Sequence, residues 1–187
     1  MHIKPYHAAV MTHPDIAKAT QNVSSNPGVH HWDAIIYMIH HLKTTQTFFL
    51  TFGGKSTTVE LIGCCDANHT NSPDHGCSIF GYAMMLVSSC FPWSSKEQTA
   101  TALSTGEAEY YVTTHAGREI TWMRQLLAKI RLEPPTATIL HIDNTSSIQM
   151  IETLDHVTNH LKHINIAYHW IHEEVQKLII SARIYTI

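Results

Sequence analysis

Three acidic residues are spaced so that a fold could bring their carboxylates together. Asp66 ends the apolar run LIGCCD, and Asp143 ends the apolar run TILHID. Glu109 lies in the first turns of a long predicted helix between those two runs. If the runs are neighbouring strands, both aspartates project from the same edge of one sheet. The helix can then supply the third carboxylate.

Carboxylates packed this closely repel one another and raise one another's pKa unless a cation compensates their charge. Mg²⁺ prefers oxygen ligands and is usually bound by carboxylates together with substrate phosphates. Two such ions, about 3.5–4 Å apart, can activate water and stabilise a leaving oxygen. The pattern therefore suggests phosphodiester hydrolysis. From the residue spacing alone, unrelated aspartates that cap loops would look the same.

Hydrophobic periodicity predicts the elements that position these acids. Strands are expected at residues 47–52 and 59–67, followed by one long or two shorter strands within 77–95. A long helix (105–131), a strand (137–143), helices (144–152 and 168–177) and a closing strand (178–187) follow. The order predicts an α/β fold, with a mixed sheet of antiparallel meander and parallel strands flanked by helices.

The first 45 residues read differently from the rest. Residues 1–13 look irregular, and Pro14 begins a short helix that Thr12 could cap. The sequence SSNPG ends that helix, and a second helix with a broad apolar face is expected at about residues 30–43. Two such helices cannot bury their faces alone. We therefore predict that residues 1–45 connect to an upstream domain, and that residues 46–187 form the main domain.

Composition limits the classes of function. The formal net charge is -3 and charged residues make up 14%, unlike a free-standing nucleic-acid binder, which is usually basic. Any nucleic acid must then be held by a local patch or a partner domain. The 4 cysteines form no C-x-x-C pair, which favours a reducing compartment. No signal-peptide pattern or membrane span is visible, so we expect an intracellular protein, cytoplasmic or nuclear, without a membrane partner.

Histidine and tryptophan offer weaker signals. The 16 histidines include the pairs at 30–31 and 40–41 and a set at 160–172, but zinc sites normally show tighter Cys/His spacing. Trp93 and Trp122 fit core packing better than base stacking.

Several segments, in the same order, resemble copia-type retrotransposon polyproteins. Residues 94–127, SSKEQTATALSTGEAEYYVTTHAGREITWMRQLL, resemble W-S-S-K-K-Q…S-S-A-E-A-E-Y…E-x-x-W-L-R-x-L-L. CCDAN resembles a D-A-D motif, GCSIFGYAMML resembles S-T-S-G-Y-x-x-x-L, and HIDNTSSIQM resembles C-D-N-x-S-A-I. KHINIAYHWIHEEV and THPDIAKATQNVSSNPGVHHWDAIIYMIHHLKTT resemble further family segments. The resemblance runs from about Met11 to Tyr185.

This resemblance implies a ribonuclease H-like domain preceded by a connector from reverse transcriptase. It implies endonucleolytic cleavage of the RNA strand of RNA–DNA hybrids, with the reverse transcriptase domain of the same element as partner. Asp66, Glu109 and Asp143 would be the catalytic residues and the ligands of a two-ion Mg²⁺ or Mn²⁺ site. Glu109 is preferred over Glu107 because an apolar residue follows the family's glutamate, as Tyr110 follows Glu109. Glu107 and His163 are secondary candidates.

The sequence also departs from the family pattern. The arginine of T-R-P-D-I is replaced by His13, and the basic residues before K-H-I are reduced to NHLKH. The family's fourth acid, in an A-D-x-x-T-K motif after the last strand, has no counterpart before Ile187, so we expect a domain truncated at its C-terminus. The alternative is a degenerate or repurposed element remnant that acts as a binding or structural module.

Overall fold

The computed structural model describes residues 5–25, 28–53, 58–68, 78–98, 105–152 and 162–185. The strands are β1 (Leu61–Asn68), β2 (Ile79–Leu86), β3 (Ser89–Glu97), β4 (Thr138–Ile142) and β5 (Ile180–Ile184). The α-helices are α1 (Pro5–Met11), α2 (Ala17–Ser25), α3 (Trp32–Thr44), α4 (Thr105–Lys129), α5 (Thr145–Glu152) and α6 (Lys162–Gln176). Short 3-10 turns, Pro14–Ile16 and Val29–His31, precede α2 and α3.

The strands form one sheet in the order β3-β2-β1-β4-β5. The first three strands are an antiparallel meander, whereas β4 runs parallel to β1 and β5 runs parallel to β4. The hairpin between β2 and β3 turns at Val87 and Ser88, which both have positive φ; such two-residue turns match the twist of paired strands. The predicted α/β fold with a mixed sheet is confirmed.

Helix α4 packs along one face of the sheet, chiefly against β1. Alternate residues of β1, Leu61 to Ala67, are buried on that face. The helix contributes a row of small and aliphatic residues at helical spacing: Ala108, Val112, Ala116, Ile120, Met123 and Leu127. At Gly63 the approach is so close that a Cβ atom would lie 3.2 Å from Ile120 Cδ1 on α4. This packing fixes the start of α4 beside the carboxyl end of β1.

The N-terminal helices also contact the sheet. Helix α2 packs against β3, and the Trp93 indole N–H donates a 2.7 Å hydrogen bond to the carbonyl of Ala9. On α3, Met38 is buried while Trp32 and Ile36 are exposed. The predicted connector role of residues 1–45 and the predicted domain boundary stay predictions.

Three predictions about secondary structure were wrong. Residues 47–52 form no strand, and Phe48 and Phe49 are exposed; the meander reaches three strands because residues 77–95 divide into β2 and β3. Within the predicted irregular stretch 1–13, Pro5–Met11 form α1, and residues 1–4 lie outside the described residues. Thr12 does not cap the next helix: its hydroxyl donates backwards to the carbonyl of Ala8.

The last helix is longer than predicted, because α6 begins at Lys162 rather than near residue 168. Within the described residues, none of the helices has the length and apolar character needed to cross a membrane.

Candidate metal centre

The parallel pairing of β1 with β4 brings the two aspartates together. Cys64 pairs with His141 in the register of these strands. Asp66 and Asp143 each follow two residues later, so they emerge side by side on the same face. Asp66 lies within β1, two residues before the strand ends, and Asp143 directly follows β4. Both side chains are exposed, so a ligand from outside can reach them.

Glu109 approaches the aspartates from the second turn of α4. Its side chain is only 3% exposed, and one carboxylate oxygen, Oε1, accepts a 3.2 Å hydrogen bond from the backbone N–H of Ala67. The other oxygen, Oε2, is buried and has no hydrogen-bond partner among the described residues. A buried carboxylate oxygen without a partner is costly, and a bound cation would remove that cost.

The three carboxylates form one compact group. Asp66, Glu109 and Asp143 each offer an oxygen, and these oxygens all lie within 4.8 Å of one another. Burial and the negative charges of Asp143 and Asp66 raise the pKa of Glu109 to about 7, although the Ala67 N–H works in the opposite direction. An all-oxygen, negatively charged group of this kind fits a hard divalent cation such as Mg²⁺ or Mn²⁺.

Two depressions border the carboxylate group. A polar one of about 570 Å³ lies between the start of α4 and the start of α5, and Glu109, Asp143 and Asn144 line it. The Asn144 carboxamide oxygen caps α5, because it accepts hydrogen bonds from the backbone N–H groups of Ser146 and Ser147. A larger groove of about 600 Å³ runs from Asp143 across the sheet face opposite α4 to Trp93. An extended ligand could therefore reach the carboxylates from either side.

Of the two secondary candidates, only Glu107 can be compared with this group. Glu107 is in the first turn of α4 and is not a member of the carboxylate group; an acid there interacts favourably with the helix dipole. His163 belongs to α6, but its side chain is outside the described residues.

Sequence reasoning missed His141. It precedes Asp143 by two residues, so the alternation of a strand places both on the groove side of β4. Its Nδ1 is buried and has no hydrogen-bond partner among the described residues, and its ring meets Tyr185 edge-on at 5.7 Å. The two-residue spacing in HID was the available signal.

Known proteins with similar sequences include transposon polyproteins. The chain is 35% identical over 173 residues to the retrovirus-related Pol polyprotein from transposon TNT 1-94 of Nicotiana tabacum, covering 90% of this chain and 13% of that protein. It is 28% identical over 169 residues to the Pol polyprotein from transposon RE2 of Arabidopsis thaliana, covering 88% of this chain and 11% of that protein. The chain is homologous to retrovirus-related Pol polyproteins of plant transposons. It therefore spans a small part of the length of these Pol relatives.

Two further similarities accompany the Pol relatives. Secreted RxLR effector protein 161 of Plasmopara viticola is 35% identical over 117 residues, which cover 61% of this chain and 82% of the effector. Among solved structures, LC11-RNase H1 isolated from compost has a TM-score of 0.49 and 13% identity, covering 67% of this chain and 84% of that one. No protein-family model matches. The resemblance to retrotransposon Pol inferred from the motifs is thus confirmed by the Pol sequences.

Proposed function

We propose that this part of a copia-type Pol polyprotein is a metal-dependent endonuclease that hydrolyses the RNA strand of RNA–DNA hybrids. The observation that carries the proposal is the group formed by Asp66, Glu109 and Asp143, whose oxygens lie within 4.8 Å of one another. These three residues are the proposed catalytic residues and metal ligands. Homology to transposon Pol polyproteins supports the ribonuclease H-type role.

The three carboxylates would hold Mg²⁺ or Mn²⁺, and a two-ion site would supply an activated water and stabilise the leaving oxygen of the phosphodiester. Ala67 holds one Glu109 oxygen by its N–H, which leaves Oε2 as a ligand atom. The exposed Asp66 and Asp143 face the side from which a substrate phosphate would arrive. Because Glu109 is buried, it anchors the site, while the aspartates meet the substrate.

The chain itself is not basic, so we propose that the hybrid is held partly by the reverse transcriptase domain of the same polyprotein. The two depressions beside the carboxylates would receive the strands near the cleaved bond. We also propose an intracellular location, cytoplasmic or nuclear, which agrees with the free state of Cys64, Cys65 and Cys90.

The direct test is cleavage of a labelled RNA–DNA hybrid by the purified chain in Mg²⁺, in Mn²⁺ and in EDTA. We expect cleavage of the RNA strand with either ion and none in EDTA. Asp66→Asn should reduce the rate by about 100-fold or more, since losing a ligand removes several kcal/mol of charge stabilisation and each 1.36 kcal/mol is tenfold. Asp33→Asn, an exposed acid on α3, is the matched control and should cleave at the wild-type rate.

Double-stranded RNA and double-stranded DNA of the same sequence complete the assay. The proposal requires that both are cut more slowly than the hybrid. Absence of metal-dependent cleavage, together with retained binding of the hybrid, would instead favour the degenerate remnant that acts as a binding module. Equal cleavage by Asp66→Asn would exclude the carboxylate group as the site.

A further inference from the structure

A separate depression of about 410 Å³ lies between α4 and α6. Its lining, which we call the α4–α6 groove, consists of Arg118, Thr121, Trp122, Gln125 and Trp170. By the helical rise and turn per residue, Trp122 is roughly 20 Å further along α4 than Glu109 and on the other side of the helix. The groove is therefore distinct from the carboxylate group.

Trp122 lines this groove and exposes its aromatic ring to solvent. The sequence predicted it in the core, but the structure leaves it 52% exposed. Trp170, by contrast, is half-buried and packs against the core. A large aromatic side chain left this exposed on a packed helix is available for stacking with a planar ligand.

Arg118 supplies an uncompensated positive charge beside that surface. Its guanidinium lies 5.8 Å from the centre of the Trp170 ring, a cation–π arrangement that holds the side chain over the groove. No ion pair to Arg118 occurs among the described residues, whereas Arg124 on the same helix pairs with Glu133 and donates to the carbonyl of Pro134. The Arg118 donors are therefore available to an anion.

The charges around the groove also favour an anion. Burial, together with the positive charges of Arg118 and Lys96, lowers the pKa of His115 one turn before Arg118. Glu174, which contacts the groove residue Thr121, is already paired: Thr121 donates to one of its oxygens at 3.2 Å and the Lys177 ammonium meets the other at 3.2 Å. Its negative charge is thus largely compensated.

We propose that the α4–α6 groove binds a nucleotide unit of a single-stranded nucleic acid. The base stacks on Trp122, the phosphate meets the Arg118 guanidinium, and the exposed Gln125 carboxamide is within reach of the base edge. A single strand is required because a base inside a duplex has no free face for stacking. A partner protein with an apolar face fits less well, since it would bury the guanidinium without a counter-charge.

The test measures fluorescence anisotropy of labelled oligothymidylate and oligouridylate in EDTA, so that binding at the carboxylate group through metal ions does not contribute. Trp122→Ala and Arg118→Gln should each weaken binding by about five-fold or more, the order expected for losing one stacked base or one phosphate contact. Trp32→Ala, an exposed tryptophan on α3, and Lys129→Gln, an exposed charge at the end of α4, should bind like the wild type.

Tryptophan fluorescence gives a second measurement that does not depend on the stability of the alanine variant. Unlabelled oligonucleotide should quench the wild-type emission, and Trp122→Phe should lose much of that quenching while it still binds. Asp66→Asn should bind and quench like the wild type, so failure of the proposed nuclease would leave this result intact. Unchanged affinity in both groove variants, or weaker self-association as their only effect, would overturn the proposal.

Discussion

The carboxylate of Glu109 serves the proposed metal site, but its burial destabilises the metal-free fold. This carboxylate is buried beside two other acids, and these surroundings raise its pKa from 4.5 to about 7. A raised carboxyl pKa means that the folded chain binds the proton more tightly than the unfolded chain. The contribution of Glu109 to the free energy of unfolding therefore falls as pH rises from about 4.5 towards 7.

We predict that Glu109→Gln stabilises the metal-free protein at pH values above about 7, because the charge that burial penalises is removed. The gain should be on the order of 1–3 kcal/mol, measured by urea unfolding in EDTA. Added Mg²⁺ should stabilise the wild type by binding the folded state and should stabilise the variant less. Glu107→Gln, two residues earlier on α4, is the comparison; lower stability of Glu109→Gln in EDTA would contradict the prediction.

The contribution of His115 to the free energy of unfolding should change with pH in the opposite direction. The His115 ring packs against both Phe80 and Tyr111, with centroid distances of 5.1 and 4.6 Å. Burial with nearby positive charge lowers the pKa of His115. The folded chain then binds this proton less tightly than the unfolded chain. The contribution of His115 to the free energy of unfolding is present above pH 6.5, the ordinary pKa of histidine. It is lost as pH falls below that value.

We therefore predict that lowering the pH from roughly 6.5 to 5 reduces the unfolding free energy of the wild type relative to that of His115→Gln. The measurement is urea unfolding at several pH values, with His40→Gln, an exposed histidine on α3, as the control. If the unfolding free energy of His115→Gln changes with pH as it does in the wild type, His115 does not contribute to the pH dependence of stability.

At the scale of elements, Gly117 allows α4 and α6 to pack closely together. A Cβ atom on Gly117 would lie 2.6 Å from Ile171 Cδ1 and 3.2 Å from Ile180 Cδ1. Both isoleucines are fully buried, so they have little room to move. The close approach of the two helices also brings Trp170 beside α4 to form the groove described above.

We predict that Gly117→Val destabilises the protein by about 1–3 kcal/mol through overpacking. Helix propensity alone predicts the reverse, since valine is a better helix former than glycine. Ala128→Val, at an exposed position of the same helix, should cost only the propensity difference of less than about 1 kcal/mol. Thermal and urea unfolding compare the two; a more stable Gly117→Val would contradict the packing explanation.

At the scale of the whole molecule, the N-terminal helices and the sheet are joined through Trp93. This residue pairs with Ala83, on the sheet face opposite α4, and its indole N–H reaches the carbonyl of Ala9. The predicted connector is thus in contact with the domain that carries the carboxylates.

Trp93→Phe keeps an aromatic ring but removes the hydrogen bond to Ala9. We predict a loss of about 0.5–1.5 kcal/mol in unfolding free energy and faster amide hydrogen exchange in α1 and α2, with exchange in β1 and β4 unchanged. Trp32→Phe is the control. Equal exchange in the two variants would mean that the contact does not hold the helices on the sheet.

Local patterns predicted much of the fold because periodicity reports which face of an element is buried. The 105–131 helix and the 137–143 strand were predicted within about two residues of α4 and β4. The same rule failed at residues 47–52, where apolar residues are abundant but no neighbouring strand pairs with them in the described chain. It also failed at Trp122, because spacing identifies an apolar residue without showing whether another element covers it.

The amino-acid sequence by itself determined the three carboxylates as candidates, the α/β class and the family resemblance, because each depends on residue types and their order. Tertiary structure alone decided that the carboxylates of Asp66, Glu109 and Asp143 lie within 4.8 Å of one another. It also decided that the Oε2 atom of Glu109 is buried without a hydrogen-bond partner among the described residues. Those properties arise from the pairing of β1 with β4 and the packing of α4 on β1, contacts between residues far apart in the chain. Local sequence patterns do not encode such distances.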